Sequence, residues 1–245
     1  MVETSAHTVK SFDDELRQLR AYVSEMGGLA EAQIKAAADA LSKRDTERAQ
    51  RVVETDKQID LLEAEVERLA VRTIALRAPM ADDLREIIAA LKISAVLERI
   101  GDYAKNIAKR TAVLAQTSAI QPISVMPAMA EDVASMVRDA LDAYADRDAE
   151  KARSVCNRDQ TIDDYYNSLF RALLTYMMEN PHHITPSAHL LFVAKNLERI
   201  GDHATNVAEM VHFGVTGEHI GERPKGGDPS YAAVEAANGS GGAAK

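Results

Sequence analysis

"LERIGDYAKNIA" occupies residues 97–108, and "LERIGDHATNVA" occupies residues 197–208. Nine of the twelve positions are identical, and the second copy begins 100 residues after the first. The likeness extends upstream, where "KRDTERAQRVVETDKQID" (43–60) aligns with "DRDAEKARSVCNRDQTID" (146–163), 103 residues apart. The three-residue difference in offset puts a deletion in the connection between the two aligned segments. A period near 100 residues is too long for a solenoid repeat and suits a small domain duplicated in tandem.

Each unit reads as three helices. Ala, Leu, Glu and Arg dominate the chain, and all are good helix formers. No long stretch alternates with period two. The first helix is expected from about Phe12 to Lys43, with Ser11 and Asp14 resembling a capping box and a kink at Gly27–Gly28. The second starts at Asp45, an N-cap residue with Glu47 in the first turn, and ends before Pro79. Val52, Ile59, Leu62, Val66, Leu69 and Thr73 give it a bundle stripe. The third runs from about Met80 to Leu114, with Ile93, Leu97, Ile100, Ala104, Ile107 and Thr111 on one face. The two prolines of "QTSAIQPISVMP" (116–127) mark a boundary. The second unit repeats the plan at about 127–145, 148–178 and 186–213, with Thr185–Pro186 as an N-cap and first helical residue. The predicted fold is all-α: two tandem, pseudo-twofold-related three-helix bundles, spanning 11–117 and 124–214, built of six long antiparallel helices. A glycine-rich stretch, 215–245, is expected to be a flexible tail.

Composition narrows the function. The net charge of −9 lacks the basic footprint of a nucleic-acid binder. A single cysteine permits no internal disulfide and suits a reducing cytosol. No apolar window reaches the length of a membrane span, and the first residues lack a secretory apolar segment. A cytoplasmic protein is expected.

The chemistry of the repeated phrase lies in its acids. Glu98 and Asp102 are one helical turn apart, and Asn106 continues their line, away from the apolar stripe. Glu198, Asp202 and Asn206 repeat the arrangement. The second helices carry Asp56 with Asp60 and Asp159 with Asp163, again four apart. If the second and third helices are antiparallel neighbours, four carboxylates gather in each unit, and their repulsion calls for a multivalent cation. Oxygen-only donors suit hard ions such as Mg²⁺, Mn²⁺, Ca²⁺ or Fe³⁺. The plain alternative is a set of solvated charges paired with Arg99, Arg199, Lys105 and Lys57. Gly101 and Gly201 are expected where another helix approaches closely.

Other motifs carry less. Glu209 and His212 form an E-x-x-H, the spacing of carboxylate di-iron bundles, but the first unit has neither residue at the matching place. His182, His183 and His189 gather near the last turn and read as solvated. His203 replaces Tyr103, so it is no shared ligand. Cys156 replaces Val53 and reads as a small core residue. Catalytic residues are not expected. A carboxylate metalloenzyme stays open as an alternative, as does a helical scaffold without metal.

The doubled "ERIGD" followed by Asn, with its E(D)-x-x-x-D spacings, resembles the PhoU family, accessory proteins of the bacterial phosphate-specific transport system. The resemblance covers about Phe12 to Phe213. It implies two three-helix bundles with multinuclear metal sites on their surfaces, the ion being iron, zinc, manganese or magnesium. It implies a non-enzymatic regulator that restrains the phosphate-starvation response when phosphate is plentiful. The implied partners are the ATPase subunit of the phosphate ABC transporter and a sensor histidine kinase. Long amphipathic helices also lend themselves to a homodimer.

Overall fold

The computed structural model describes residues 2–221, with side chains from residue 11 onward. The described backbone is helical with no strand: α1 (Val2–Lys43), α2 (Thr46–Arg77), α3 (Ala81–Leu114), α4 (Met126–Asp146), α5 (Ala149–Cys156), α6 (Asp159–Glu179) and α7 (Ile184–Thr216). Short 3₁₀ turns at Gln121–Val125 and Pro181–His183 lead into α4 and α7.

The first unit packs α1, α2 and α3 against one another, and the second packs α4, α5 and α6 around α7. The aligned N-caps behave alike. The Asp45 carboxylate accepts from the Arg48 backbone N–H, and Asp148 accepts from those of Glu150 and Lys151. Both caps follow a left-handed residue, Arg44 and Arg147, that turns the chain back on itself. Gly217, at φ +78°, closes α7 in the same conformation without steric penalty.

Between the units, equivalent helices meet: α1 lies on α4, and α3 lies on α7. A twofold relation requires this self-pairing. The buried apolar side chains form one cluster running through both units, from Leu16 to Val211. Its many alanines (Ala37, Ala90, Ala104, Ala194 and Ala204 among them) let the helix axes approach closely.

Five local expectations change. Ser11 is no N-cap, because α1 begins at Val2; its hydroxyl oxygen accepts from Arg77 Nη2 at 2.7 Å. Helix α1 runs unbroken through Gly27–Gly28. Gly27 is small because a Cβ there would overlap Leu141 on α4. The second rod of the second unit is divided at Asn157–Arg158 into α5 and α6. At that break Arg158 turns back to Asp139 on α4, Nη1 to Oδ2 2.5 Å, a contact its counterpart Thr55 does not make. Thr185 does not cap α7, which begins at Ile184 out of the preceding 3₁₀ turn. Of the expected tail 215–245, Val215 and Thr216 complete α7, and residues 222–245 lie outside the described residues.

Candidate metal centre

In the first unit α2 presents Asp56, Asp60 and Glu63 at steps of four and three, and α3 answers with Glu98, Asp102 and Lys105 at the same steps. Each set therefore lies along one helix face. Asp56 is buried, with 3% of its surface exposed. Asp60 is exposed, while Glu63, Glu98 and Asp102 are half-buried. The Lys105 ammonium bridges the helices, bonding Asp56 Oδ2 at 2.5 Å and the Asp102 carboxylate. Burial opposes the charge on Lys105, but these two hydrogen bonds hold its pKa above the ordinary lysine value.

The acids feel one another. Burial raises the Glu98 pKa, and the charges of Asp102, Glu63, Asp60 and Asp56 raise it further. Asp60 is raised by burial and then by Asp56, against the pull of Lys105. Glu63 is raised by burial and then by Glu67 and Asp60. Asp56, Asp60, Glu98 and Asp102 thus feel one another's charge. Asn106 is exposed and makes no side-chain hydrogen bond to the described residues.

Glu63 was missing from the sequence reading. The signal was present: Asp56, Asp60, Glu63 and Glu67 continue one acidic line at helical steps. Gln33 of α1 was missed as well. Its side chain is 3% exposed and its amide has no hydrogen-bond partner. A Cβ at Gly101 would lie 2.9 Å from Ile59 Cδ1, 3.3 Å from Asp56 Oδ1 and 3.4 Å from Gln33 Oε1. Gly101 is therefore where α1 and α2 close on α3.

The second unit repeats the site with its cation moved. Asp163, Glu198 and Asp202 share one field: burial raises the Glu198 pKa, and Asp202 and Asp163 add to it. Lys195, one turn before Glu198, bonds Glu198 Oε1 at 2.7 Å and lies 4.9 Å above the Tyr166 ring. Burial outweighs that lysine. Thr205 stands where the first unit has Lys105, and it donates to the Asp202 carbonyl at 2.7 Å. Asp159 opens α6 and is half-buried. Asn206 faces His203, Nδ2 to Nδ1 3.3 Å, rather than the acids. A Cβ at Gly201 would meet Ile162 Cγ2 at 3.3 Å, matching Gly101 and Ile59.

Does this arrangement fit a metal? The donors are all oxygen, the set expected for hard cations. Glu198 Oε2 is buried with no hydrogen-bond partner, which leaves an anionic acceptor unused. Among the described residues, however, no three His, Cys, Asp or Glu side chains converge closely enough to hold one ion. The donor chemistry suits a hard cation, while the cations these acids meet in the structure are Lys105, between Asp56 and Asp102, and Lys195, on Glu198. Glu209 and His212 do not build a di-iron site: His212 is buried and contacts Arg153 Nη2 and the Glu218 carbonyl. Cys156 is buried, as a core residue should be.

Two tandem three-helix units, each with an acidic cluster between its second and third helical rods, define a class of duplicated bundle proteins with paired carboxylate sites. The PhoU domain profile matches residues 23–111 and 126–211. The chain belongs to the PhoU family. It is 56% identical over 222 residues to a phosphate-specific transport system accessory protein PhoU homolog of Zymomonas mobilis, covering 91% of this chain and 94% of that one. Its counterpart in Caulobacter vibrioides is 51% identical over 224 residues, covering 89% and 96%. Among solved structures, PhoU from Pseudomonas aeruginosa superposes with a TM-score of 0.82 at 40% identity, covering 84% of this chain and all of that one. The phosphate transport system regulatory protein PhoU from Streptococcus pneumoniae gives 0.79 at 28%, covering 86% and all.

Proposed function

We propose that this chain regulates phosphate transport as a non-enzymatic adaptor in the cytoplasm. It joins the ATPase subunit of a phosphate ABC transporter to a sensor histidine kinase and restrains the starvation response when phosphate is plentiful. Family membership and relatives named as transport accessory proteins support the regulatory role. No helix among the described residues is long and apolar enough to cross a membrane, so membrane association would run through partners. A homodimer is part of the proposal.

The clusters are the proposed seats of metal ions, iron, zinc, manganese or magnesium, with more than one ion per cluster. Asp56, Asp60, Glu98, Asp102 and Asn106 would supply the first site, with Glu63 added. Asp159, Asp163, Glu198, Asp202 and Asn206 would supply the second. A bound cation would offset the carboxylate repulsion and tie the second rod to the third, stiffening the partner-binding surface. The observation that carries this reading is the buried Glu198 Oε2 with no hydrogen-bond partner, at a position whose equivalent, Glu98, is likewise half-buried beside other acids.

A second reading, a metal-free scaffold, is favoured by Lys105, which already spans Asp56 and Asp102. The paired substitution Asp102→Asn with Asp202→Asn separates the two. The metal reading expects loss of bound ion and of partner response; the scaffold reading expects neither. Deleting the gene and measuring phosphatase expression under high phosphate tests the regulatory role. Expression that stays repressed would contradict it.

A further inference from the structure

Outside the acidic clusters the two units differ between the first and second helical rods. In the second unit Arg158 fills the gap between α4 and the α5–α6 break, reaching Asp139 Oδ2 at 2.5 Å and the Asp132 carbonyl at 3.5 Å. In the first unit the matching residues are Thr55 for Arg158, Ala36 for Asp139 and Leu29 for Asp132. Thr55 and Ala36 cannot form the ion pair that Arg158 makes with Asp139. A groove of about 320 Å³ lies there between α1 and α2.

The same groove carries a cation that the second unit lacks. Arg48 is a shared structural residue: it bonds Asp39 at 2.7 Å, as its counterpart Lys151 bonds Asp142 at 3.0 Å. Arg51 has no such counterpart, since Ser154 stands at the matching position. Its exposed guanidinium makes no ion pair or side-chain hydrogen bond with the described residues. Gln33, which replaces Met136, lines the groove with its amide unpartnered. The remaining wall is Leu29, Ala32, Ala36 and Val52, with Thr55 beside them. A cleft of this size, largely apolar and bordered by a few polar donors, is a usual form of a small-molecule site.

We infer that the α1–α2 groove binds a small organic anion, its acidic head on Arg51 with Arg48 beside it, and its short apolar body against Leu29, Ala36 and Val52. Phosphoryl and carboxylate heads share the required chemistry, since either pairs with the planar guanidinium fork. The site uses none of the proposed metal ligands and does not rest on the reading of the acidic clusters.

Phenyl phosphate is a suitable probe, titrated into the full chain in excess chelator and followed by amide NMR shifts. One saturable site is expected, with shifts centred on Val52 and Thr55. Arg51→Ser, which imports the second unit's residue, should weaken it about tenfold or more. Thr55→Arg with Ala36→Asp, which rebuilds the plug, should abolish it. Both variants are checked for wild-type melting, and Gln33→Met, the second unit's own core residue, provides an independent weakening variant. Absence of saturable binding, or binding unchanged in both Arg51→Ser and the plug variant, would overturn the inference. Inorganic phosphate binding as tightly as phenyl phosphate would overturn its apolar half.

Discussion

Tyr103 and His203 stack on each other, with ring centroids 5.5 Å apart and planes inclined by 18°. The two residues hold the same position in the two copies of the repeated phrase. Equivalent residues meet face to face only on the axis relating the units, so the pair marks the pseudo-twofold. Arg199 adds its guanidinium 5.8 Å from the Tyr103 ring. A double-mutant cycle of Tyr103→Ala and His203→Ala should give a coupling of about 0.5–1.5 kcal/mol. A coupling of zero in urea melts would contradict the idea that this stack joins the units.

Lys105 is the counter-ion of a buried acid. Asp56 retains 5% side-chain exposure while Lys105 keeps 22%. Lys105→Met removes the ammonium and leaves the Asp56 carboxylate uncompensated, at a cost of about 3 kcal/mol. In chelator the variant should melt well below the wild type. Added Mn²⁺ or Mg²⁺ should restore more of its stability than the same ions add to the wild type, because the ammonium no longer competes. Equal responses of the two proteins would count against a cation site at this place.

Glu98 allows the sign of a pH effect to be worked out. Its folded pKa lies above its ordinary value, through burial first and then four neighbouring acids. Between the unfolded and folded pKa values the native state binds more protons, so this group's contribution is full at low pH and is lost as pH rises. Glu98→Gln removes the dependence. Without divalent ions, the melting temperature of the variant minus that of the wild type should grow from pH 4 to pH 7. A constant or shrinking difference would contradict the environment assigned to Glu98.

The two motif glycines should differ in tolerance. Alanine at position 101 would press on Ile59 at 2.9 Å and on Asp56 and Gln33, whereas the nearest atoms to alanine at 201 belong to Ile162, no closer than 3.3 Å. Helix propensity favours alanine by about 1 kcal/mol at either site. Gly201→Ala should therefore be near neutral, while Gly101→Ala loses about 1–2 kcal/mol net as overpacking outweighs propensity. Thermal melts showing the reverse order would sink this account of the helix crossings.

The fold was legible because its signals are local or repeated. Asp45 and Asp148 cap as their residue type requires, and Pro79 and residues 116–125 fall between the α-helices. The duplicated acid ladders show which helix faces carry the acids in both units. What the sequence hid depends on partners distant in the chain. The break at Asn157–Arg158 follows an arginine drawn to Asp139, and nothing in the local pattern of 148–178 announces it. Gly27 looked like a kink because the Leu141 contact is invisible in one helix. Lys105 looked like one of several neutralising charges; only the antiparallel pairing of α2 and α3 shows that it bridges Asp56 and Asp102. The pairing of α1 with α4 follows from the twofold and could not be read from either copy alone.

On the proposed reading, the equivalent clusters around Glu98 and Glu198 hold multivalent cations. Metal content, measured by mass spectrometry on gently purified chain, tests it most directly alongside the Asp102→Asn, Asp202→Asn variant. The account predicts ions retained by the wild type and lost from the variant. A wild-type protein that carries no metal, with a melting temperature indifferent to added divalent ions, would contradict it.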